Sequence, residues 1–409
     1  MPDFLILDDL ALHGKTVLLR ADLNVPMKDG RVTDTSRLEG LLPTLNYLAQ
    51  AGAKIVILSH LGRPDGKPDP KYSLRPVAIE LERVWKQPVA FAEDCIGPKA
   101  EAAVEALAQG QAVVLENTRF HAGEEANDPA FARALAALGD IYVNDAFSAA
   151  HRAHASTEGL ARLLPGGAGR LMQAEIEALT KALSQPERPV AAIIGGSKIS
   201  SKLDILQNLV TKTDLLVLGG GMANTFLMAK GIAIGKSICE PDMVATARAI
   251  MAKAEEKGCH VFLPKDAVVA PALKEGEPTQ TVSISSIPQD QMILDIGPAS
   301  VKEIRGNLEM CKTIVWNGPL GAFETPPFDR ATNEIAICVA DLTKRGRTLS
   351  VAGGGDTAAA LLNAGVLHGL SYLSLAGGAF LEWLEGKELP GVVALRQAVP
   401  RAKTGKVII

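Results

Sequence analysis

The stretch VAGGGDTAAALL, residues 351–362, decides the fold. A short apolar run closes at Ala352, three glycines follow, and Asp356 and Thr357 lead into an alanine-rich segment that predicts a helix. Strand, glycine turn and helix are the repeating unit of a parallel α/β sheet. Glycine there lets backbone N–H groups approach an anion, and the helix start adds its positive end. The stretch therefore reads as a phosphate seat. It is not the dinucleotide fingerprint GxGxxG, because residues 353–358 read GGGDTA, nor the P-loop GxxxxGK[ST]. Two P-loop look-alikes fail. Gly14-Lys15-Thr16 has Asp9 where the first glycine belongs, and Gly235-Lys236-Ser237 has Gly231 one residue too close.

Other runs end the same way: IIGG (193–196), VLGGG (217–221), DIGP (295–298), WNGP (316–319) and LAGG (375–378). Ligands of parallel sheets bind beyond the carboxyl ends of strands. One such turn is ordinary; the repetition favours a ligand site, although a member or two of the set reads equally well as a plain tight turn. Strands are expected at Thr16–Arg20, Lys54–Ser59, Ala112–Glu116 and Ile141–Asn144, then at Val190–Ile194, Leu215–Leu218, Val261–Leu263, Met292–Ile296, Thr313–Trp316, Thr348–Ala352 and Tyr372–Leu375. Helical segments such as Arg37–Gln50, Lys99–Gln109 and Pro129–Leu138 lie between them. The fold class is α/β, with two doubly wound parallel-sheet (Rossmann-like) domains joined by a helix hinge. The border falls within Gly166–Pro189, where the helix-forming run Leu171–Leu183 stops at SQPERP. This places one domain at 1–170, a second at 171–389 with the connecting helix, and a weakly patterned basic segment at 390–409.

A chain of 409 residues exceeds a typical single core, which agrees with two domains. Apolar content of 47%, charged content of 22% and a net charge of −4 match a soluble globular protein, with no sign of nucleic-acid or membrane-surface binding. The opening MPDFLILDDL has acids where a signal peptide has bases. The apolar window Leu215–Gly235 is broken by Asn224, Thr225 and Lys230, against a membrane span. The 5 scattered cysteines, without a CxxC pair, read as free thiols of a reducing, cytoplasmic compartment.

The cations fall into two groups. In GGSKISSK (195–202), Lys198 and Lys202 stand at i, i+4, expected on one face of a first helical turn where both reach one phosphate; alone, they read as a solvated face. Asp356 by itself reads as a helix cap; beside phosphates it becomes a magnesium contact. In the first half, RADLNVP (20–26) sets Arg20, Asp22 and Asn24 at alternate positions of a strand end, and Arg37 opens the next helix. SHLGRPDG (59–66) adds His60 and Arg63, ENTRF (116–120) adds Arg119, and NDAFSAAHRAHAST (144–157) adds His151, Arg152 and His154. Any one of these arginines alone reads as a surface ion pair; their recurrence after strand ends points to a phosphate or carboxylate seat. HRAH has a metal-ligand spacing, but no third ligand accompanies it. Two such sites imply phosphoryl transfer between a nucleotide and a small anionic acceptor.

In order and spacing, RADLNVP, SHLGRPDG, LENTRF, NDAFSAAHRAHAST, GGSKISSK, GGGMANTFL, WNGPLGAFE and GGGDT resemble the motifs of the phosphoglycerate kinase family, and the resemblance covers the chain up to its final tail. It implies reversible transfer of the acyl phosphate of 1,3-bisphosphoglycerate to ADP, giving 3-phosphoglycerate and ATP, with Mg²⁺, by a hinge-bending monomer whose C-terminal segment returns to the first domain. By that resemblance Asp22, Asn24, Arg37, His60, Arg63, Arg119, His151 and Arg152 hold the triose. Lys202, Glu324, Gly354, Gly355, Asp356 and Thr357 hold the nucleotide, with Lys198 beside them, and Gly219, Gly220, Gly297, Asn317 and Pro319 line its pocket. Asp356 meets the metal. Arg37, Lys198 and the backbone of Gly354, Gly377 and Gly378 attend the phosphoryl group in flight. The acceptor carboxylate is ionised at neutral pH, its pKa being roughly 3.5–4, so no general base is required. One departure stands out: Ser374-Leu375-Ala376-Gly377-Gly378 has Leu375 where the family has threonine. The rival readings are an NAD-dependent dehydrogenase, which the missing GxGxxG opposes, and a non-catalytic metabolite-binding protein, which leaves Arg37 and Lys198 unexplained.

Overall fold

The computed structural model describes residues 3–397. The chain divides into two compact units, one running to Glu177 and resuming at Glu388, the other spanning Ala178–Lys387. In the first unit β1 (Thr16–Arg20) is followed by a short hairpin of β2 (Met27–Lys28) and β3 (Arg31–Val32), α1 (Ser36–Gln50), β4 (Lys54–Leu58), α2 (Arg75–Trp85), β5 (Val89–Ala92), α3 (Gly97–Glu105) and β6 (Ala112–Leu115). Then come α4 (Ala122–Glu125), α5 (Pro129–Ala136), β7 (Ile141–Asn144), β8 (Gly166–Ala168) and α6 (Arg170–Leu179). The sheet is parallel throughout and ordered β5-β6-β4-β1-β7-β8.

Period-2 alternation explains why continuous apolar strands suit it. Val17, Leu19, Ile55, Ile57 and Val114 join Leu38, Leu41, Leu45 and Leu48 of α1 and Val77, Leu81 and Trp85 of α2 in one core. The intervening Leu18, Val56, Val113 and Tyr142 are equally buried on the opposite face.

The second unit repeats the plan with β9 (Val190–Ile194), α7 (Leu203–Leu209), β10 (Leu215–Leu218), α8 (Gly220–Ala229), α9 (Val244–Glu256) and β11 (His260–Phe262). After β12 (Asp266–Ala270), β13 (Gln280–Ser283) and β14 (Met292–Ile296) come α10 (Pro298–Leu308), β15 (Thr313–Asn317), α11 (Arg330–Lys344), β16 (Leu349–Gly353), α12 (Gly355–Asn363), β17 (Tyr372–Ser374) and α13 (Gly378–Leu384). The parallel sheet is ordered β11-β10-β9-β15-β16-β17. Ile193, Val217, Ile314 and Trp316 pack with Ile304 and Leu308 of α10 and Ile335 and Val339 of α11. Finally α14 (Pro390–Gln397) belongs to the first unit, where the Gly391 N–H donates to Ala150 O at 2.9 Å. The expected segment 390–409 continues past Gln397, outside the described residues.

Several expectations need correction. Met292–Ile296 is not a strand of the parallel sheet; it pairs antiparallel with β12 in a separate three-stranded sheet, β13-β12-β14. Sequence alternation carries no information on partner direction. Gly166–Ala168, placed in the border, is an edge strand of the first sheet: a Cβ on Gly166 would stand 2.3 Å from Tyr142 O, so glycine here serves close backbone approach. The run Leu171–Leu183 is α6 followed by a wider turn of helix over Thr180–Ser184. The apolar window at 215–235 is β10 followed by α8, which is buried nearly all round; among the described residues no helix is long and apolar enough to cross a membrane. All 5 cysteines are free thiols, Cys239 half-buried and the others buried.

Two strand-end glycines have opposite requirements. A Cβ on Gly195 would lie 1.7 Å from Pro319 O, whereas one on Gly355 meets nothing within 4 Å. Gly195→Ala should cost at least about 2 kcal/mol, and Gly355→Ala should leave the stability equal or higher by about 0.5 kcal/mol. Urea unfolding of the two variants checks the pair; equal effects would show that the close approach at Gly195 is relieved by backbone movement.

Candidate active site

In the first unit the alternation in RADLNVP is real. Ala21, Leu23 and Val25 enter the core while Arg20, Asp22 and Asn24 emerge on the other side. Asp22 accepts from Arg37 Nη1 (2.9 Å to Oδ1, 2.7 Å to Oδ2) and from Ser148 Oγ (2.5 Å). Arg37 Nη1 also donates to Asn24 O (2.9 Å). Asn24 Oδ1 accepts from the Gly62 N–H (2.9 Å), and Gly62 O accepts from Arg119 Nη1 (2.8 Å). Gly62 thus links the Arg37–Asp22–Asn24 group to Arg119 through its own peptide. Arg63, next in the chain, is exposed.

Arg20, only 1% exposed, donates from Nε to Ser156 Oγ (2.8 Å) and from Nη2 to His60 Nδ1 (2.9 Å). An arginine always donates, so His60 Nδ1 is the acceptor and the ring is the neutral Nε2–H tautomer. Burial, with Arg20 and Arg119 next in effect, holds the His60 imidazole well below its ordinary range. Burial, then Arg119 and Arg152, pushes His154 down to about 4. Burial also lowers Arg119, although Glu125 opposes this. His151 Nε2 accepts from Arg152 Nε at 3.2 Å. His60, Arg119, His151 and Arg152 are therefore brought within electrostatic reach of one another, together with Arg20 and His154. Buried carboxylate is scarce there: Glu124 accepts from the Ser156 N–H (3.0 Å) and hydroxyl (2.5 Å). A cluster of fixed guanidinium groups that silences its own imidazoles is a seat for an anion.

In the second unit, the pair Lys198 and Lys202 does not share a helical turn. Helix α7 starts at Leu203, Lys202 is its N-cap with φ −133°, and Ser200 is tied to Glu240 through both its N–H (3.1 Å) and its hydroxyl (2.5 Å). Lys202 instead turns inward. Its Nζ donates to Gly195 O (2.6 Å), Asn317 Oδ1 (2.6 Å) and Asn317 O (3.2 Å), and burial pushes its ammonium down to about 8. Lys198 is exposed.

Asn317 Nδ2 donates to Gly353 O (2.7 Å). The Thr357 hydroxyl donates to the same oxygen (2.9 Å) and accepts from the Gly318 N–H (2.8 Å). Thr357 is thus spent on the backbone through its side chain, and what it can offer a ligand is its N–H in the first turn of α12, beside those of Gly355 and Asp356. Gly354 takes φ +99°, a conformation that glycine permits.

A cleft of about 560 Å³ opens beside this node. Gly220, Pro319, Glu324 and Asp356 line it; Leu227, Ile238 and Leu320 give it an apolar wall. Gly219, Asn317, Gly354, Gly355, Thr357, Lys198 and Lys202 are not among its lining residues, although Gly219 adjoins Gly220 in the chain, Gly355 and Thr357 flank Asp356, and Lys198 follows Ser197. Gly297 is explained otherwise. A Cβ there would stand 2.3 Å from the Asp266 carboxylate, which receives the N–H groups of Ala299 (2.9 Å) and Ser300 (2.8 Å) at the start of α10. Gly377 takes φ +42°, and Leu375 beside it is 52% exposed.

Sequence reasoning left three residues out of its site sets. Arg20 and His154 were in view but had no partner until the chain folded. Asp295 lines the cleft and accepts from the Ala331 N–H (3.0 Å) at the start of α11; burial pushes its carboxyl up to about 8. No local pattern marks such a residue.

The neutral imidazoles can be checked. An unfolded chain charges His60 and His154 near pH 6.5, whereas the folded one keeps them neutral, so this pair withdraws stability progressively as pH falls below about 6.5. In histidine-selective NMR both rings should remain at neutral-form shifts between about pH 5.5 and 8. A midpoint near 6.5 for either would show that neither burial nor the arginines act on it.

The phosphoglycerate kinase family model matches residues 7–387. A phosphoglycerate kinase of Rhodospirillum centenum is 64% identical over 392 residues, covering 96% of this chain and 99% of that one. One from Methylorubrum extorquens is 60% identical over 397 residues, with 97% and 99% covered. Among solved structures, the phosphoglycerate kinase from Coxiella burnetii superposes with a TM-score of 0.90 at 42% identity, covering 96% of this chain and 99% of that one. The phosphoglycerate kinase from Pyrococcus horikoshii OT3 does so with 0.81 at 33%, covering 97% and 99%. Motifs, two parallel-sheet units and these likenesses over nearly full length agree: the chain belongs to the phosphoglycerate kinase family.

Proposed function

We propose that the chain catalyses reversible phosphoryl transfer between ATP and the carboxylate of 3-phosphoglycerate, giving ADP and 1,3-bisphosphoglycerate. The observation that carries this is the pairing of two unlike seats on one chain: a cluster of arginines and neutral imidazoles in the first unit, and in the second a cleft with glycine-rich strand ends. The apolar wall of Leu227, Ile238 and Leu320 suits a planar base, and the first turn of α12 suits its phosphates.

Arg119, Arg152, His60 and His151 would hold the triose phosphate, with Arg63 closing from the exposed side. Asp22 and Asn24 would take its hydroxyl and orient Arg37. In the synthesis of the acyl phosphate a carboxylate oxygen attacks the γ-phosphorus, the new C–O–P linkage forms as the P–O bond to ADP breaks, and no proton moves. Arg37 and Lys198 would offset the charge on the transferring group, assisted by backbone N–H groups at Gly354, Gly377 and Gly378. Asp356 is an exposed carboxylate on the cleft lining at a helix start, a donor suited to Mg²⁺ that keeps its remaining ligands as water and phosphate oxygens. The ion would supply charge neutralisation on the nucleotide phosphates. Bending at the α6 connection would close the units and exclude water from a hydrolysable acyl phosphate. A monomer working in the cytoplasm completes this reading.

In a coupled assay the intact chain should phosphorylate 3-phosphoglycerate with ATP, and Lys198→Ala should lower kcat roughly 10²–10³-fold; absence of turnover in the intact chain would refute the kinase reading. Leu375→Thr, which restores a hydroxyl beside Gly377, should raise kcat several-fold. An unchanged kcat would show that the backbone N–H groups suffice at this turn.

A further inference from the structure

Outside both seats, the turn after β6 carries Arg119 and, two residues on, His121. His121 Nε2 stands 2.8 Å from Asp94 Oδ1, and the next residue, Cys95, is fully buried behind it. One ligand atom from each of Asp94, Cys95 and His121 lies within 4.8 Å of the other two, and this is the one trio of metal-ligating side chains so disposed among the described residues.

We propose that Asp94, Cys95 and His121 bind a thiophilic divalent cation of the zinc class, with three protein ligands and a fourth position open to solvent. The donor set is a mixed sulfur, nitrogen and oxygen set, which suits zinc better than magnesium or calcium. Bond lengths of about 2.3 Å to sulfur and about 2.0–2.1 Å to nitrogen and oxygen put the ligand atoms of a tetrahedral site roughly 3.5 Å apart, so the His121–Asp94 hydrogen bond at 2.8 Å must open to admit the ion, while no ligand atom starts more than 4.8 Å from another. Asp94 and His121 are half-exposed at the rim of a cleft of about 380 Å³ and can move to do this.

The charge around the sulfur favours a cation. The carboxylates of Asp94, Glu124 and Glu116 all act on the Cys95 sulfur. Glu93, nearby in sequence, is already answered by Arg75 (3.1 Å) and Lys99 (3.1 Å). On binding, the S–H proton leaves to solvent and a metal–sulfur bond takes its place. His121 turns an unprotonated Nε2 to the metal, its ring hydrogen residing on Nδ1. No electrons are transferred. A bound ion would pin the β5–α3 connection to the turn that carries Arg119, joining two segments now linked by the His121–Asp94 hydrogen bond, while His121 also stacks on Phe131 of α5 at 5.1 Å.

The alternative is an ordinary His–Asp pair over a core cysteine, and the two are separable. Chelator-treated full-length protein should take up one equivalent of Zn²⁺ in calorimetric titration. Co²⁺ in its place should give a thiolate-to-cobalt charge-transfer band. Cys95→Ser should abolish the band; Asp94→Asn and His121→Gln, both at partly exposed positions that leave the core intact, should each weaken binding at least about tenfold; Cys239→Ala should change nothing. No band in the parent chain, a band surviving in Cys95→Ser, or a band removed by Cys239→Ala would overturn the proposal.

Discussion

The second unit depends on one ammonium. Lys202 lies where β9 and β15 end, and there its Nζ donates to the carbonyl oxygens of Gly195 and Asn317 and to the side-chain amide oxygen of Asn317. Asn317 in turn ties β16 through Gly353 O, and Thr357 ties the start of α12 to the same atom. Glycines at these strand ends allow the chains to approach so closely that a Cβ on Gly195 would strike Pro319 O. Without the Lys202 charge, several carbonyl oxygens would be left facing one another in a poorly solvated corner. With it, the side chains of the node are spent on the backbone, and the N–H groups of the α12 first turn remain for an anion.

The first unit solves anion binding differently. It has no comparable row of strand-end glycines, so guanidinium groups take the place of peptide N–H groups. Burial first, and the neighbouring arginines second, hold His60 and His154 uncharged beside them. A neutral His60 remains useful, because it accepts from Arg20 and keeps an N–H to donate. These preformed cations suit a reaction whose nucleophile is already ionised; such a site needs positive charge and position, and no base.

Much of this was legible in the chain. The period-2 alternation around Asp22 and Asn24, the apolar strands and the glycine turns all report the local environment of a residue, because side-chain direction along a strand follows from the backbone alone. Family motifs located the same residues without reference to packing. Lys202 shows the limit. Its spacing from Lys198 fits a helical turn, yet the loop around it is held by Glu240 and by Asn317, respectively 38 and 115 positions away in the chain. The direction of β14 was equally hidden, since an antiparallel partner leaves no trace in the alternation of one strand. At Gly297 the sequence shows a turn like the others and hides the Asp266 carboxylate, which a Cβ there would meet at 2.3 Å.

By itself, then, the sequence determined the class of fold, the two-unit plan, the family and the roster of cations, since each follows from local periodicity or from contiguous motifs. Tertiary structure alone decided which of those cations point inward, that His60 is a neutral acceptor, that Thr357 serves the backbone, that Asp295 is buried on the cleft wall, and that Asp94, Cys95 and His121 meet. Those outcomes depend on desolvation and on hydrogen bonds between residues far apart in the chain, and no window of sequence contains both partners.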